Sequence, residues 1–313
     1  MRKAIMFATS FFVGVALFPL GSAFAQQNSS GSNVPITTVV TVLGRDFSVP
    51  PAIAKEDIVV YSGKSREDVT SWIPAQGDQA GLQLAILIDD SDSPTGIGSH
   101  FTELRDFITS QPSSTQIGIF YAANGAADAV SEFTADHDAA AQKIRLPLGR
   151  RGSNSPSVYL SLQDLVKHWP SNGMRHEVLM IASGVDHLNP GFDDPYFAST
   201  LKSLQTAGVV VHTIYVGGPG LAAAGLRMDI AQSNLTQLAG GTGGEPFFQG
   251  LETPVDFGPI LRDLDMVLKN QYLLTFNTPR SGKKSGEIRQ LQVRTEQRKA
   301  KLNHAKEVFV PSV

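Results

Sequence analysis

Apolar and polar positions divide this chain into stretches of different period. Leu84-Ala-Ile-Leu-Ile88 is an unbroken apolar run, which suits a strand buried on both faces of a parallel sheet better than one with a wet face. After it, Phe101, Leu104, Phe107 and Ile108 fall at helical spacing and Pro112 closes the segment. Further strands are predicted at Thr115 to Tyr121, Glu177 to Ala182, Val209 to Val216 and Pro246 to Gln249, with Ala127 to Phe133 as an antiparallel neighbour across Gly125. Helices are predicted between them at Asp136 to Ile144, Val158 to Trp169, Tyr196 to Thr206, Ile230 to Ala239 and Val255 to Leu268. Strands alternating with helices of this length predict an α/β core, Rossmann-like and doubly wound, with a mainly parallel sheet covered on both faces.

The two ends of the chain read differently. Ile36 to Leu43 and Ile58 to Tyr61 precede the core, Gln271 to Asn277, Glu287 to Thr295 and Glu307 to Val310 follow it, and no helix separates either set. The simplest arrangement pairs residues 36–80 with residues 271–313 in one small β module. It is expected where the termini of the core, residues 81–270, meet, and away from Asp89.

Met1-Arg-Lys3 is basic, Ala4 to Leu20 is mostly apolar, and Ala23-Phe-Ala25 is a small-x-small signal. That order predicts a signal peptide over residues 1–25, export to the periplasm or the cell exterior, and a flexible linker over 26–35. An uncleaved anchor is the alternative. No later segment reads as a membrane span.

Composition narrows the chemistry. With 313 residues, 42% hydrophobic and 18% charged, the chain has enough apolar material for one large core and a companion. A formal net charge of -3 and the lack of a long basic run exclude nucleic acid as the main partner. Cysteine is absent, which excludes disulfides, thiolate metal sites and lipid attachment through an amino-terminal Cys, and leaves oxygen and histidine as metal ligands. His100, His137, His168, His176, His187, His212 and His304 show no ligand-like grouping and read as surface or helix-end residues.

The predicted central strand ends in Asp89-Asp-Ser-Asp-Ser93. In open α/β sheets ligands sit outside the carboxyl ends of strands where the strand order reverses. Asp89, Ser91 and Ser93 can turn a carboxylate and two hydroxyls toward one point, the oxygen set that Mg2+ takes. The same residue types are turn formers and N-caps, so a capped loop is the other reading. Gly240-Gly-Thr-Gly-Gly244 precedes a strand and reads as a helix-ending turn rather than a phosphate loop. Ser183-Gly184 lacks the frame of a nucleophile elbow, so no enzyme is predicted; an exported hydrolase using Ser183, Asp186 and His187 is the remote alternative.

Asp89 to Ser93, Ile181-Ala-Ser-Gly-Val-Asp186 and Leu238-Ala-Gly-Gly-Thr-Gly-Gly244 together resemble a von Willebrand factor type A (VWA) domain. Ile58-Val-Val-Tyr-Ser-Gly-Lys64 and Gln271-Tyr-Leu-Leu-Thr-Phe276 look like the exported bacterial branch labelled VWFA-related acidobacterial domain. The resemblance implies a metal-ion-dependent adhesion site, where Mg2+ or another divalent cation completes its shell with an acidic residue of a partner protein. Asp89, Ser91 and Ser93 match its first loop. The Thr of its second loop corresponds to a region where Ser155 and Ser157 are the alternatives. The Asp before Gly of its third loop is here Ser183, with Asp186 just beyond, and Asp90 and Asp92 add negative potential. The function implied is protein–protein interaction or adhesion by an exported protein, and the alternative is a metal-independent structural or assembly module of the cell envelope. Nothing in the sequence sets an oligomeric state. Amino-terminal sequencing of protein recovered from the envelope is expected to begin at Gln26; an intact Met1 on a membrane-bound form would establish the anchor instead.

Overall fold

The computed structural model describes residues 33–91, 94–149, 157–170, 172–186, 194–217, 226–250 and 252–312. The strands are β1 (Asn33–Leu43), β2 (Ile58–Ser62), β3 (Ser65–Pro74), β4 (Leu82–Asp89), β5 (Thr115–Ala123), β6 (Ala126–Thr134), β7 (Arg175–Ala182), β8 (Val210–Tyr215), β9 (Pro246–Phe247), β10 (Gln271–Pro279), β11 (Glu287–Thr295), β12 (Lys301–His304) and β13 (Glu307–Val310). The α-helices are α1 (Pro94–Ile97), α2 (Phe101–Thr109), α3 (His137–Gln142), α4 (Val158–Lys167), α5 (Pro195–Ala207), α6 (Leu226–Thr242) and α7 (Gly258–Lys269).

Every residue of β4 is buried, because it runs between two parallel neighbours, β5 and β7, and has helices on both sides. Leu84, Ile86 and Ile88 face α2 and α7, packing with Leu104, Ile108, Leu261 and Leu264. Ala85 and Leu87 face α4, α5 and α6, packing with Leu162, Leu165, Leu204 and Leu238. The unbroken apolar run is thus two alternating half-patterns, each covered by its own layer, and each fully buried Leu or Ile contributes about 1.5–3 kcal/mol. The sheet order is β6-β5-β4-β7-β8-β9, and only β6 is antiparallel to its neighbour. This is the Rossmann-like, doubly wound core that the periodicity predicts.

The remaining strands form an antiparallel sheet in the order β12-β1-β10-β3-β2-β11-β13, drawn from both ends of the chain. Its inner residues, among them Val40, Val60, Leu274, Phe276, Leu291 and Val293, make a third core. Trp72 stacks on Tyr272 at 4.4 Å and donates its indole N–H to Ile53. The α/β core is inserted between two neighbours of this sheet: β3 ends at Pro74, paired with Tyr272 at the start of β10, and everything from β4 to α7 lies between them in sequence.

Two sequence expectations need correcting. β3 was not among the expected strands: Ser65-Arg-Glu-Asp-Val-Thr-Ser71 is polar, and only its backbone pairing with β10 and β2 makes it a strand. The histidines are not all surface or helix-end residues either, since His212 and His304 are buried within strands. His212, on β8, is fully enclosed and meets Glu177 Oε2 through Nε2 at 2.9 Å. Its Nδ1 accepts from the Glu245 N–H at 3.1 Å, which leaves Nε2 to donate.

Glu177 also receives Arg175 at 3.3 Å and Gln271 Nε2 at 3.0 Å, Arg175 donates to the Gln271 side chain, and Arg175 Nη2 reaches the Ala80 carbonyl at 3.1 Å. This buried network bridges the start of β4, the start of β7, the middle of β8 and the start of β10. Burial raises the Glu177 carboxyl, but His212, Arg175 and Gln271 outweigh it and hold the carboxyl below its ordinary range. Among the described residues no helix is long and apolar enough to cross a membrane. Glu177→Ala is expected to destabilise the fold by about 3–5 kcal/mol, because it leaves a buried guanidinium unpaired. Denaturant unfolding measures this, and a loss below ~1 kcal/mol would show that Arg175 finds water or another partner.

Candidate functional site

β4 delivers Asp89 to the carboxyl edge of the sheet, where the order reverses between β4 and β7. Asp89 is buried, and its Oδ1 accepts both the Ser91 N–H at 2.9 Å and the Ser91 hydroxyl at 2.6 Å. These two bonds close the tight turn that the Asp-x-Ser spacing predicts. Ser93 and Asp92 lie outside the described residues.

Asp90 behaves differently from its neighbour. Arg145 holds it with two bonds, Nη1 to Oδ1 at 2.7 Å and Nη2 to Oδ2 at 3.2 Å, and the Leu148 N–H adds a third at 2.8 Å. The guanidinium lies 3.8 Å from the centre of the Tyr121 ring, and the Tyr121 hydroxyl accepts from the Arg145 N–H at 2.8 Å. Asp90 therefore does not add open negative potential, as the sequence alone suggested. Its charge is matched by Arg145, and the pair pins the segment after Ile144 to the end of β4.

The second loop enters through Ser157, which caps α4 by accepting from the Leu160 N–H at 3.3 Å and donates its hydroxyl to Asp186 Oδ2 at 2.7 Å. Ser155 lies outside the described residues. The third loop leaves β7 as Ser183-Gly-Val-Asp186. Ser183 is fully buried and accepts a long 3.4 Å contact from the Val185 N–H. Gly184 takes φ 73, and a Cβ there would fall 2.7 Å from Leu235 and 2.8 Å from the Ala231 carbonyl, so α6 requires glycine at this position. The Tyr159 hydroxyl donates to the Gly184 carbonyl at 2.7 Å and fixes the loop from the α4 side.

Asp89, Ser91, Ser157, Ser183 and Asp186 are thus buried and close the carboxyl ends of β4 and β7. One more acid was missed by the sequence reading. Asp194, 7% exposed, caps α5 with Oδ1, which accepts from Tyr196 N at 2.8 Å and Phe197 N at 3.1 Å. Its signal was present: an Asp directly before Pro195, the proline at the first helical position. Burial, and after it the adjoining Asp186 carboxylate, hold the Asp194 carboxyl above its ordinary range, against the two backbone N–H bonds. Tyr159 reports the same crowd of charge. Burial pushes its phenol up, and Asp194, Asp186 and Asp89 add to that, opposed by a bond with Asn234.

The chemistry of this donor set fits a hard divalent cation: carboxylate and hydroxyl oxygens, desolvated, with excess negative charge. It is not a site of side-chain acids and imidazoles alone, for among the described residues no group of three His, Cys, Asp or Glu is placed to hold an ion. Hydroxyl oxygens have to take part. His187 lies outside the described residues, so the remote hydrolase grouping has only Ser183 and Asp186 in view, both engaged as above.

Strand order, the single antiparallel edge strand β6 and the oxygen-lined crater at the switch point define the core as a VWA-like fold. No sequence-family profile and no curated protein sequence matches the chain. Among solved structures, it is similar to BatB from Bacteroides thetaiotaomicron at 12% identity, covering 60% of this chain and 100% of that one, with a TM-score of 0.44. The SpRpn10 VWA domain is similar at 15% identity over 57% of this chain and 93% of its own, TM-score 0.36. The ArnB paralog VWA2 from Sulfolobus acidocaldarius is similar at 11% identity over 88% and 76%, TM-score 0.39.

The Arg145–Asp90 pair makes a separate prediction. Arg145→Ala is expected to cost about 1–3 kcal/mol, since Asp90 stays buried without its charged donor. A thermal midpoint equal to the parent's would show that the Leu148 N–H alone satisfies Asp90.

Proposed function

We propose that this chain is an exported, non-enzymatic interaction module that holds Mg2+ or a comparable divalent cation in its carboxyl-edge crater and offers it to an acidic residue of a partner protein. The observation that carries this reading is the Ser157–Asp186 hydrogen bond beside the Asp89–Ser91 turn. It ties the second and third loops together at the point where the first loop ends. Asp89, Ser91, Ser157 and Asp186 would hold the ion, with Ser183 as a neutral neighbour; Ser93 and Ser155 lie outside the described residues. A bound cation would supply the local positive charge that a partner's carboxylate requires. Protein binding rather than turnover is supported by the state of Ser183, which is buried and turned into its own loop. Export rests on the basic start, apolar run and Ala23-Phe-Ala25 of the leader.

One observation favours a second reading, an envelope assembly module that uses no metal. The Ser91 and Ser157 hydroxyls already donate to Asp89 and Asp186, so the crater is internally hydrogen-bonded as it stands. Chelation separates the two, because only the cation reading makes partner binding sensitive to EDTA.

Titration of Mg2+ and Mn2+ into the mature chain, followed by calorimetry and thermal melts, tests the proposal. Asp89→Ala is expected to remove most binding, since it deletes a charged ligand, whereas Ser91→Ala deletes a neutral oxygen that water replaces in part. Ser183→Asp is expected to bind the ion more tightly and to show a larger ion-induced rise in midpoint, because a ligand specific for the folded state stabilises it by mass action. No heat and no change in midpoint for the parent and for Ser183→Asp would sink the cation reading and leave the assembly module.

A further inference from the structure

After β1 the chain turns back in a short loop, residues 44–51, whose shape is fixed by its backbone. Gly44 donates its N–H to the Ser48 carbonyl at 3.2 Å, and the Ser48 N–H donates to the Arg45 carbonyl at 3.0 Å. A Cβ on Gly44 would collide with the Ser48 side chain and carbonyl, so this closure requires glycine. Phe47 takes φ 55, a left-handed conformation that a bulky residue adopts only at a cost. Its ring offsets that cost by packing on the α/β core, where it stacks 6.4 Å from Phe247 of β9. The loop is thereby anchored as a wall. Opposite it stands the turn between β11 and β12, residues 296–300, and the two enclose a cavity of about 740 Å³.

We propose that this cavity binds a small amphipathic anion, with an apolar body against Phe47 and Pro51 and a carboxylate, sulfonate or phosphate head on Arg45, Arg298 and Lys299. The site shares no residue with the crater and does not depend on the cation reading. Phe47, Pro51 and Ala300 give the cavity an apolar lining, to which Val49 adds a side chain that is 89% exposed. Arg45, Arg298, Lys299 and Lys301 line it as well. Lys301 is matched by Glu245 at 2.8 Å, whereas among the described residues no ion pair engages the other three. Three unmatched cations on one cavity, in a chain of net charge -3, concentrate positive potential there and favour an anion. Apolar walls with a few convergent charged groups, in a volume of about 300 to 1,000 Å³, suit a small molecule. A membrane surface would call for a flatter face. Arginine takes a carboxylate, sulfonate or phosphate through two parallel bonds, which would orient the head group.

The dye anilinonaphthalene sulfonate joins an aromatic body to a sulfonate and serves as the probe. With the mature chain its fluorescence is expected to rise to saturation, to fall when octanoate is added, and to weaken with salt as exposed charges are screened. Octanol, an apolar body without the charge, is expected not to displace it. Arg45→Gln combined with Arg298→Gln is expected to weaken dye binding about fivefold or more, each exposed charge contact contributing a factor of roughly two to five. Val49→Asp is expected to weaken it too, and Lys64→Gln, in the turn between β2 and β3, to leave it unchanged. All four positions are exposed, so these variants keep the fold. Parent-like dye affinity in the double variant would overturn the proposal, as would absence of saturable dye binding in the parent or equal displacement by octanol and octanoate. Binding of the chain to phosphatidylglycerol vesicles, with no displacement of the dye by octanoate, would place the anion in a membrane surface and overturn the assignment to a free ligand.

Discussion

The pairing of Pro74 with Tyr272 is the constraint on which the rest of this molecule depends. It brings together two points of the chain separated by the whole α/β core, and so requires that β4 start and α7 finish side by side. Backbone bonds extend the clamp on both sides, from Ala75 N to the Gln271 carbonyl at 2.8 Å and from Val42 N to the Asn270 carbonyl at 2.9 Å. Directly beneath it lies the Glu177 network, which bonds the Arg175 Nη atoms, Gln271 and His212 to Glu177 or to one another while leaving Arg175 Nε buried without a partner. A buried charge cluster of this kind is weak evidence of net stability. Its geometric effect is plainer: Glu177 must face Arg175, Gln271 and His212 at once, and that fixes how β7, β8 and β10 enter the junction.

That constraint also determines where function can sit. At about 3.3 Å per residue, the eight residues of β4 put its two ends roughly 20 Å or more apart. The end held by the antiparallel sheet is closed by the network, while the other is left to loops. Those loops are held by side chains rather than by sheet pairing: Arg145 on Asp90, Tyr159 on the Gly184 carbonyl, Ser157 on Asp186. These bonds keep the oxygen atoms of Asp90, Gly184 and Asp186 in place.

Much of this was legible in the sequence where a residue's partners are close along the chain or where burial is total. The apolar run of β4 could only be a strand covered on both faces, and Asp89 with Ser91 formed the turn their spacing implies. β3 was hidden because Arg66, Glu67 and Asp68 carry no apolar alternation, and its strand character comes from backbone pairing, with β2 across a tight turn and with β10 about two hundred residues away in sequence. His212 was misread for a related reason. A histidine inside an apolar strand is tolerated only with a partner, and Glu177 becomes visible as that partner once β7 and β8 are laid side by side. Asp90 read as spare negative charge because Arg145, its counter-ion, lies beyond α1, α2, the β5–β6 pair and α3.

Ser183 and Asp194 show how packing decides where charge can be carried at this edge of the sheet. Ser183 is enclosed completely, and the glycine after it is pressed against α6 so closely that no Cβ fits. A carboxylate at position 183 would have to be desolvated in full beside Asp89 and Asp186, at a cost of several kcal/mol unless a cation is always present. The start of α5 is an easier place for the same charge. There Asp194 receives two backbone N–H bonds, and the positive end of the helix dipole favours an anion even when no ion is bound. A buried carboxylate at the helix start is therefore less costly than one at position 183 would be.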